Sequence, residues 1–293
     1  MVGKGESVVE IFQTVEALKD YAKAVKAAGK TIALVPTMGA LHAGHIALME
    51  AARKAADVVI ASVFVNPTQF GPNEDYDAYP RAFAEDCEKL RQVPVDAVFH
   101  PEPAALYPEG YATYVTVEGD IVNKLCGAKR PGHFRGVATV VTKLIHLSCA
   151  DKAFFGQKDA QQVVVVRRVA ADLNLPVEIV MVPIVREESG LAMSSRNRYL
   201  SVEERAAALV LSRSLCAAER AFLGGEREAT KLTAMVTAII EGEPLAVIDY
   251  VALYSFPALR SIERVDRPAL LAIAVKIGET RLIDNVILGR DEA

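Results

Sequence analysis

Short, continuously apolar runs alternate along the chain with stretches whose apolar residues recur every three to four positions. These are the signatures of buried parallel strands and of helices laid against them. The periodicity predicts a helix from Thr14 to about Ala28, with Leu18, Tyr21, Ala22 and Val25 on one face, Thr14 as its cap and Gly29 as its stop. A strand over 31–35, a helix over 44–56 and a strand over 58–65, apolar but for Ser62, follow. The pattern continues with a helix over 82–92, strands over 97–99 and 113–117, a short helix over 121–128 and a helix over 137–148. A strand over 152–155, a helix over 159–172 and a strand over 178–182 complete the series. Strand and helix in alternation predict an α/β fold, a Rossmann-like doubly wound parallel sheet.

The pattern changes after Val185. Residues 186–198 read as a polar loop, and Ser201 with Glu204 forms a capping box for a helix over 202–223 that Gly224 and Gly225 end. A helix over 229–240 and apolar runs over 247–253, 270–277 and 281–287 predict a smaller C-terminal α+β domain. The expected division is 1–186 and 187–293.

Composition narrows the class. Of 293 residues, 52% are hydrophobic, enough for a sizeable core. The net charge is −4 with basic residues scattered, which excludes a nucleic-acid or anionic-membrane surface and points to small ligands. Residues 1–10 lack a leader core, and no apolar run is long enough to cross a bilayer. Cys87, Cys126, Cys149 and Cys216 lie far apart, which disfavours a zinc site or a disulfide framework. They read as small buried hydrophobes of a cytoplasmic protein.

The chemistry concentrates in three strand-to-helix loops. Pro36–His45 places His42 and His45 three residues apart on one face of a helix start, where backbone N–H groups can hold phosphate. A second turn carries Gly156, Gln157, Lys158 and Asp159, and a third Met193, Ser194, Ser195 and Arg196. In a doubly wound sheet such loops converge, and imidazole, ammonium, guanidinium and hydroxyl donors suit the charge that spreads over phosphoryl oxygens. There is no Walker A pattern. Residues 66–80 form a loop long enough to act as a lid, and 130–136 is a turn carrying Arg130, His133 and Arg135.

His42-Ala43-Gly44-His45 resembles the H-x-G-H signature of class I aminoacyl-tRNA synthetases and nucleotidyltransferases, and 193–196 resembles their lysine-serine loop in degenerate form. Together with 64–70, 130–136, 155–162 and 193–200, the string Pro36–His45 is similar to the pantoate-β-alanine ligase family, from about residue 8 to 288. The resemblance implies ATP-dependent ligation of (R)-pantoate and β-alanine to pantothenate through a pantoyl adenylate, with release of pyrophosphate and AMP. It implies a homodimer; by analogy with two-domain geometry, the C-terminal domain is expected to close over the ATP site. ATP falls to Met38, Gly39, Ala40, Leu41, His42, Ala43, Gly44, His45, Gly156, Gln157, Lys158, Asp159, Val185, Met193, Ser194, Ser195 and Arg196. His45 is the expected proton donor, with His42 and Lys158 on the phosphates, and Gln69 and Gln162 hold pantoate. Tyr79, Arg130, His133 and Arg135 are secondary candidates. Gln157 stands where many relatives have Glu. Mg²⁺ is expected with ATP; Asp57 and Asp86 are available, and neither is assigned as a ligand. An adenylyltransferase of the same superfamily, giving a dinucleotide-like product, and a non-catalytic nucleotide sensor remain the alternatives.

Overall fold

The computed structural model describes residues 9–72 and 74–290; the leader reading of residues 1–8 lies outside them. The elements run β1 (Glu10–Phe12), α1 (Val15–Ala27), β2 (Ile32–Thr37), α2 (Ala43–Ala55), β3 (Val58–Val63), α3 (Phe83–Leu90), β4 (Ala97–Phe99) and α4 (Pro103–Leu106). Then come α5 (Leu125–Lys129), α6 (His133–Ser148), β5 (Lys152–Gly156), α7 (Ala160–Asp172) and β6 (Glu178–Val182). The remainder forms α8 (Val202–Leu223), α9 (Ala229–Glu241), β7 (Ala246–Ser255), β8 (Ala269–Ile277) and β9 (Thr280–Leu288). Two compact units result. The first runs to Val117 and adds Arg130–Gly156 and Val165–Pro183; the second takes Glu118–Lys129, Gln157–Val164 and the chain from Ile184.

The first unit is built on a six-stranded sheet in the order β1-β4-β3-β2-β5-β6, parallel throughout. β2 and β3 bury nearly every residue, so their sequences are apolar runs and not alternations. On α2, Leu48, Met49 and Ala52 form the stripe that packs on Ala33, Val35, Val59 and Ala61. The chain winds outward from β2 through β3 to β4, then returns to β5 on the other side of β2. The carboxyl ends of β2 and β5 therefore flank the topological switch, the place where such sheets bind ligands.

The second unit carries the antiparallel sheet β7-β8-β9. Leu211 and Leu215 of α8 and Leu232 and Val236 of α9 share a core with Leu271, Ile273 and Val275 of β8. The capping box of α8 forms as its spacing predicts: Glu204 N donates to Ser201 Oγ at 3.1 Å and Ser201 N to Glu204 Oε2 at 2.8 Å.

Several expectations need correction. Residues 113–117 alternate but form no strand, because Val115 N donates to Thr139 Oγ1 at 3.0 Å and Arg135 stacks over the Tyr114 ring at 3.9 Å. Side chains of α6 satisfy the segment in place of a ladder. β1 is too short for a readable period. α6 starts at His133, inside the stretch read as a turn, and the helix expected over 121–128 divides into a 3-10 turn (Asp120–Val122) and α5. The polar stretch 186–198 contains a bridge between Arg186 and Ala192 and a 3-10 turn, Ser195–Tyr199. Of the four free cysteines only Cys126 is buried; Cys149 and Cys216 are exposed and Cys87 is half-buried.

Candidate active site

Leaving β2, the chain turns into α2 through Gly39 (φ +82°) and Ala40 (φ +49°). Thr37 Oγ1 donates to Ser62 O at 2.6 Å and accepts from Gly39 N at 3.2 Å. The buried Asp86 carboxylate of α3 accepts from the N–H groups of Ala40 (2.8 Å) and Leu41 (2.7 Å), and Lys89 Nζ donates to Leu41 O at 2.8 Å. A Cβ at position 39 would lie 3.0 Å from both Asp86 Oδ2 and Val63 Cγ1, so glycine answers both the backbone and the space.

His42 is the N-cap of α2. Its Nδ1 accepts from Gly44 N at 3.2 Å, while His45 Nδ1 accepts from His42 N at 3.3 Å, a capping box made of two imidazoles stacked with centroids 4.0 Å apart. Because each Nδ1 accepts, each ring carries its proton on Nε2. The N–H groups of Ala40, Leu41, His42, Gly44 and His45 all bond within this region. Those main-chain amides are therefore taken up inside the turn, and both imidazoles turn Nδ1 to the main chain.

β3 leads to Asn66, which caps a 3-10 turn, Pro67–Gln69. The buried Asn66 is fully oriented. Its Oδ1 accepts from Thr68 N (3.3 Å), Thr68 Oγ1 (2.9 Å) and Tyr107 OH (2.8 Å), and its Nδ2 donates to Gln69 Oε1 (3.0 Å) and Gly136 O (3.2 Å). Burial pushes the Tyr107 hydroxyl up to about 12, so it stays a donor. Gln69 Nε2 donates to Met38 Sδ at 3.2 Å, which sets the glutamine beside the β2 turn. Arg130 forks onto Glu74, Arg135 lies on Tyr114, and the buried Tyr79 ring meets Phe70 edge-on. Asp57, at the far end of β3, accepts from Thr31 N at 2.9 Å and Thr31 Oγ1 at 2.7 Å.

In the second unit the stretch Gln157–Asp159, which follows Gly156, is a 3-10 turn held by the buried Asn285 of β9. Asn285 Nδ2 donates to the carbonyls of Gln157 and Lys158, both at 3.0 Å, and its Oδ1 accepts from Gln157 Nε2 at 3.3 Å. The Gln157 side chain therefore takes part in holding the turn, through a donation that a carboxylate could not make. Burial pushes the Lys158 ammonium below the ordinary lysine range; Asp159 and Asp284 oppose the shift and Arg196 adds to it. Met193 N donates to Val185 O at 3.0 Å, and Ser194 Oγ caps the Ser195–Tyr199 turn by accepting from Arg196 N at 3.3 Å. Asn197 Nδ2 donates to Glu187 Oε1 (2.9 Å) and Ala192 O (3.1 Å), fixing the loop from inside. Gln162 is half-buried in the first turn of α7, beside Gln161, whose Nε2 donates to Ile121 O and Lys124 O.

The pattern of the pantoate-beta-alanine ligase family matches residues 10–287, nearly the whole chain. The chain belongs to the pantoate-β-alanine ligase family. Among relatives of this family, it is 56% identical to the pantothenate synthetase of Pelotomaculum thermopropionicum over 96% of this chain and 99% of that one. With the protein of the same name from Geotalea uraniireducens it shares 52% over 97% and 100%. The crystal structure of pantothenate synthetase from Thermus thermophilus superimposes with a TM-score of 0.90 at 44% identity, covering 95% of this chain and 99% of that one. The ligase of Francisella tularensis, described as complexed with beta-gamma ATP and beta-alanine, gives 0.77 at 31% identity, covering 96% and 98%.

Within this ligase-family chain, the first unit brings together the H-x-G-H turn and Gln69, and the second gathers Lys158, Asp159, Val185 and Met193–Arg196. Sequence reasoning missed Asn285 and the turn-holding role of Asp86. Asn285 was signalled by a polar pair, Asp284-Asn285, inside an apolar strand, and nothing local marked Asp86. Asn285→Ala removes the groups bonded to two carbonyls at a buried site, worth about 1–3 kcal/mol. Its expected result is a raised KM for ATP with an unchanged KM for pantoate, read by initial rates.

Proposed function

We propose that the chain joins (R)-pantoate to β-alanine with cleavage of ATP to AMP and pyrophosphate. A family match over nearly the full length, on a fold whose H-x-G-H turn is capped by its own histidines, carries the reading. The pantoate carboxylate attacks the α-phosphorus to give pantoyl adenylate, and the β-alanine amine then displaces AMP from the acyl carbon. The free carboxylate is inert to amines; as an acyl adenylate it carries a good leaving group.

His42 and His45 direct Nε2–H donors at charge developing on the α-phosphoryl and the leaving pyrophosphate, and Lys158 and Arg196 neutralise phosphate oxygens. His45 is a charge-stabilising donor more than a proton source, because pyrophosphate departure requires neutralisation. Gln69 and Gln162 offer amide donors and acceptors to the hydroxyls and carboxylate of pantoate. Mg²⁺ enters with the ATP phosphates. Among the described residues no group of three His, Cys, Asp or Glu side chains could hold a metal, and Asp86 and Asp57 are already bonded to main-chain amides. A homodimer is proposed on family resemblance alone and a cytoplasmic location on the four free, scattered cysteines; no helix among the described residues is long and apolar enough to cross a membrane.

The test is exchange of labelled pyrophosphate into ATP with pantoate present and β-alanine absent, followed by product analysis after β-alanine is added. Pantoate-dependent exchange, then AMP and pantothenate, is expected. AMP formation without exchange would remove a freely reversible first step, and no AMP under any condition would remove the ligase reading.

The position of Lys158 also gives a pH dependence. Phosphate binding needs the ammonium charged, and burial has lowered its pKa, so above that lowered value ATP must bring a proton with it. Affinity for ATP should fall with rising pH before an ordinary lysine titrates near about 10.4. Lys158→Arg, permanently charged, should flatten the profile of ATP KM against pH.

A further inference from the structure

The Gln69 carbonyl sits at the meeting point of three segments. His133 Nδ1 lies 2.9 Å from it and Arg130 Nη2 3.4 Å, while Arg130 Nη1 lies 3.1 Å from His133 Nε2. Arginine only donates, so His133 Nε2 accepts and its proton sits on Nδ1, donating to Gln69 O. Arg130 is itself aimed by Glu74, whose two oxygens take Nε at 2.7 Å and Nη2 at 2.6 Å. This is the bidentate geometry that fixes a guanidinium in one orientation. His133 is buried, and Glu74 and Arg130 are mostly so. At the other end of the same residue, Asn66 and Met38 hold the Gln69 amide.

We propose that Glu74, Arg130 and His133 form a clamp that fixes the Gln69 main chain and thereby aims its amide at the carboxylic acid substrate, making them positioning residues for pantoate. The inference rests on the reading of Gln69 as a pantoate residue. Holding both ends of the glutamine removes its rotamer freedom before substrate arrives, so the clamp acts on affinity for the acid. It makes no contact with ATP or amine in this role, which separates it from a phosphate-binding role for Arg130 and His133.

Steady-state constants for pantoate, ATP and β-alanine, measured on His133→Phe, His133→Asn and Glu74→Gln, test it. His133→Phe should raise the pantoate KM about tenfold or more, with the other two KM values within about twofold, as expected for a misplaced binding group. His133→Asn offers an N–H in place of Nδ1–H and should recover most of the loss. Glu74→Gln, on a loop, keeps the testable effect if His133→Phe fails to fold, and should give a smaller rise of the same selectivity. In a Gln69→Ala background His133→Phe should change the pantoate KM no further. A fall in kcat at constant pantoate KM, a parallel rise in all three KM values, or additivity with Gln69→Ala would overturn the clamp. A raised pantoate KM in Gln69→Ala beside a normal one in His133→Phe and Glu74→Gln would overturn the clamp alone. An unchanged pantoate KM in Gln69→Ala would overturn the reading of Gln69 and the clamp with it.

Discussion

His45→Gln should slow pantoate-dependent pyrophosphate exchange by about 10²–10³-fold, the usual cost of losing one donor aimed at transition-state charge. The substitution is chosen for what it keeps. Glutamine is a natural residue at the third position of a capped helix, and its Oε1 can accept the His42 N–H that His45 Nδ1 now accepts. The entry of α2 should therefore survive, and the melting temperature should stay near that of the parent. What is lost is the Nε2–H to which the proposed function assigns the developing charge, so dissociation constants for ATP and pantoate should change little while the rate falls. Rapid-quench measurement of adenylate formation beside equilibrium binding decides it: equal losses in binding and rate would return His45 to a ground-state contact.

Gly136→Ala should destabilise the first unit although the position lies inside α6. Helix propensity alone favours alanine by about 0.8–1.0 kcal/mol. Packing opposes it: a Cβ at 136 would lie 2.3 Å from Thr68 O, 2.5 Å from Thr68 C and 2.6 Å from Gln69 Cα, all main-chain atoms with no rotamer to yield. The helix or the Pro67–Gln69 turn must shift, and overpacking of this kind costs about 1–3 kcal/mol, occasionally more. A net loss of roughly 1 kcal/mol, or about 2–4 °C in unfolding temperature, should accompany a raised pantoate KM. Calorimetry and initial rates check both. A variant as stable as the parent, with normal pantoate kinetics, would mean that α6 and the turn do not meet so closely.

The elements legible in the sequence are those whose own residues carry the signal. α8 is read from Ser201 to Gly224 because the capping box and the terminal glycine are local, and β3 because a doubly covered strand is a nearly continuous apolar run. The alternation of strands and helices was sufficient to predict a doubly wound sheet. The strand expected over 113–117 fails because Thr139 and Arg135, more than twenty residues away, satisfy the segment instead. Arg130-Pro131-Gly132 looks like a turn and is one, but α6 then starts at His133, with Gly136 serving close packing inside the helix. At the candidate site, the histidines and Lys158 were visible as residue types in glycine-containing turns. Asp86, Asn66, Glu74 and Asn285 were not assigned their roles, because Asp86, Asn66 and Asn285 act on main chain distant in sequence and Glu74 on the distant Arg130 side chain.

The bond from Asp86 to Ala40 and Leu41 has a thermodynamic meaning for the turn it holds. A flexible phosphate loop is ordered by its nucleotide and spends part of the binding free energy on that ordering. Here the Asp86 carboxylate itself takes those two amides, so the left-handed backbone at Gly39 and Ala40 is settled when the first unit folds. In the role proposed for this turn, ATP meets a surface whose shape the fold has already decided.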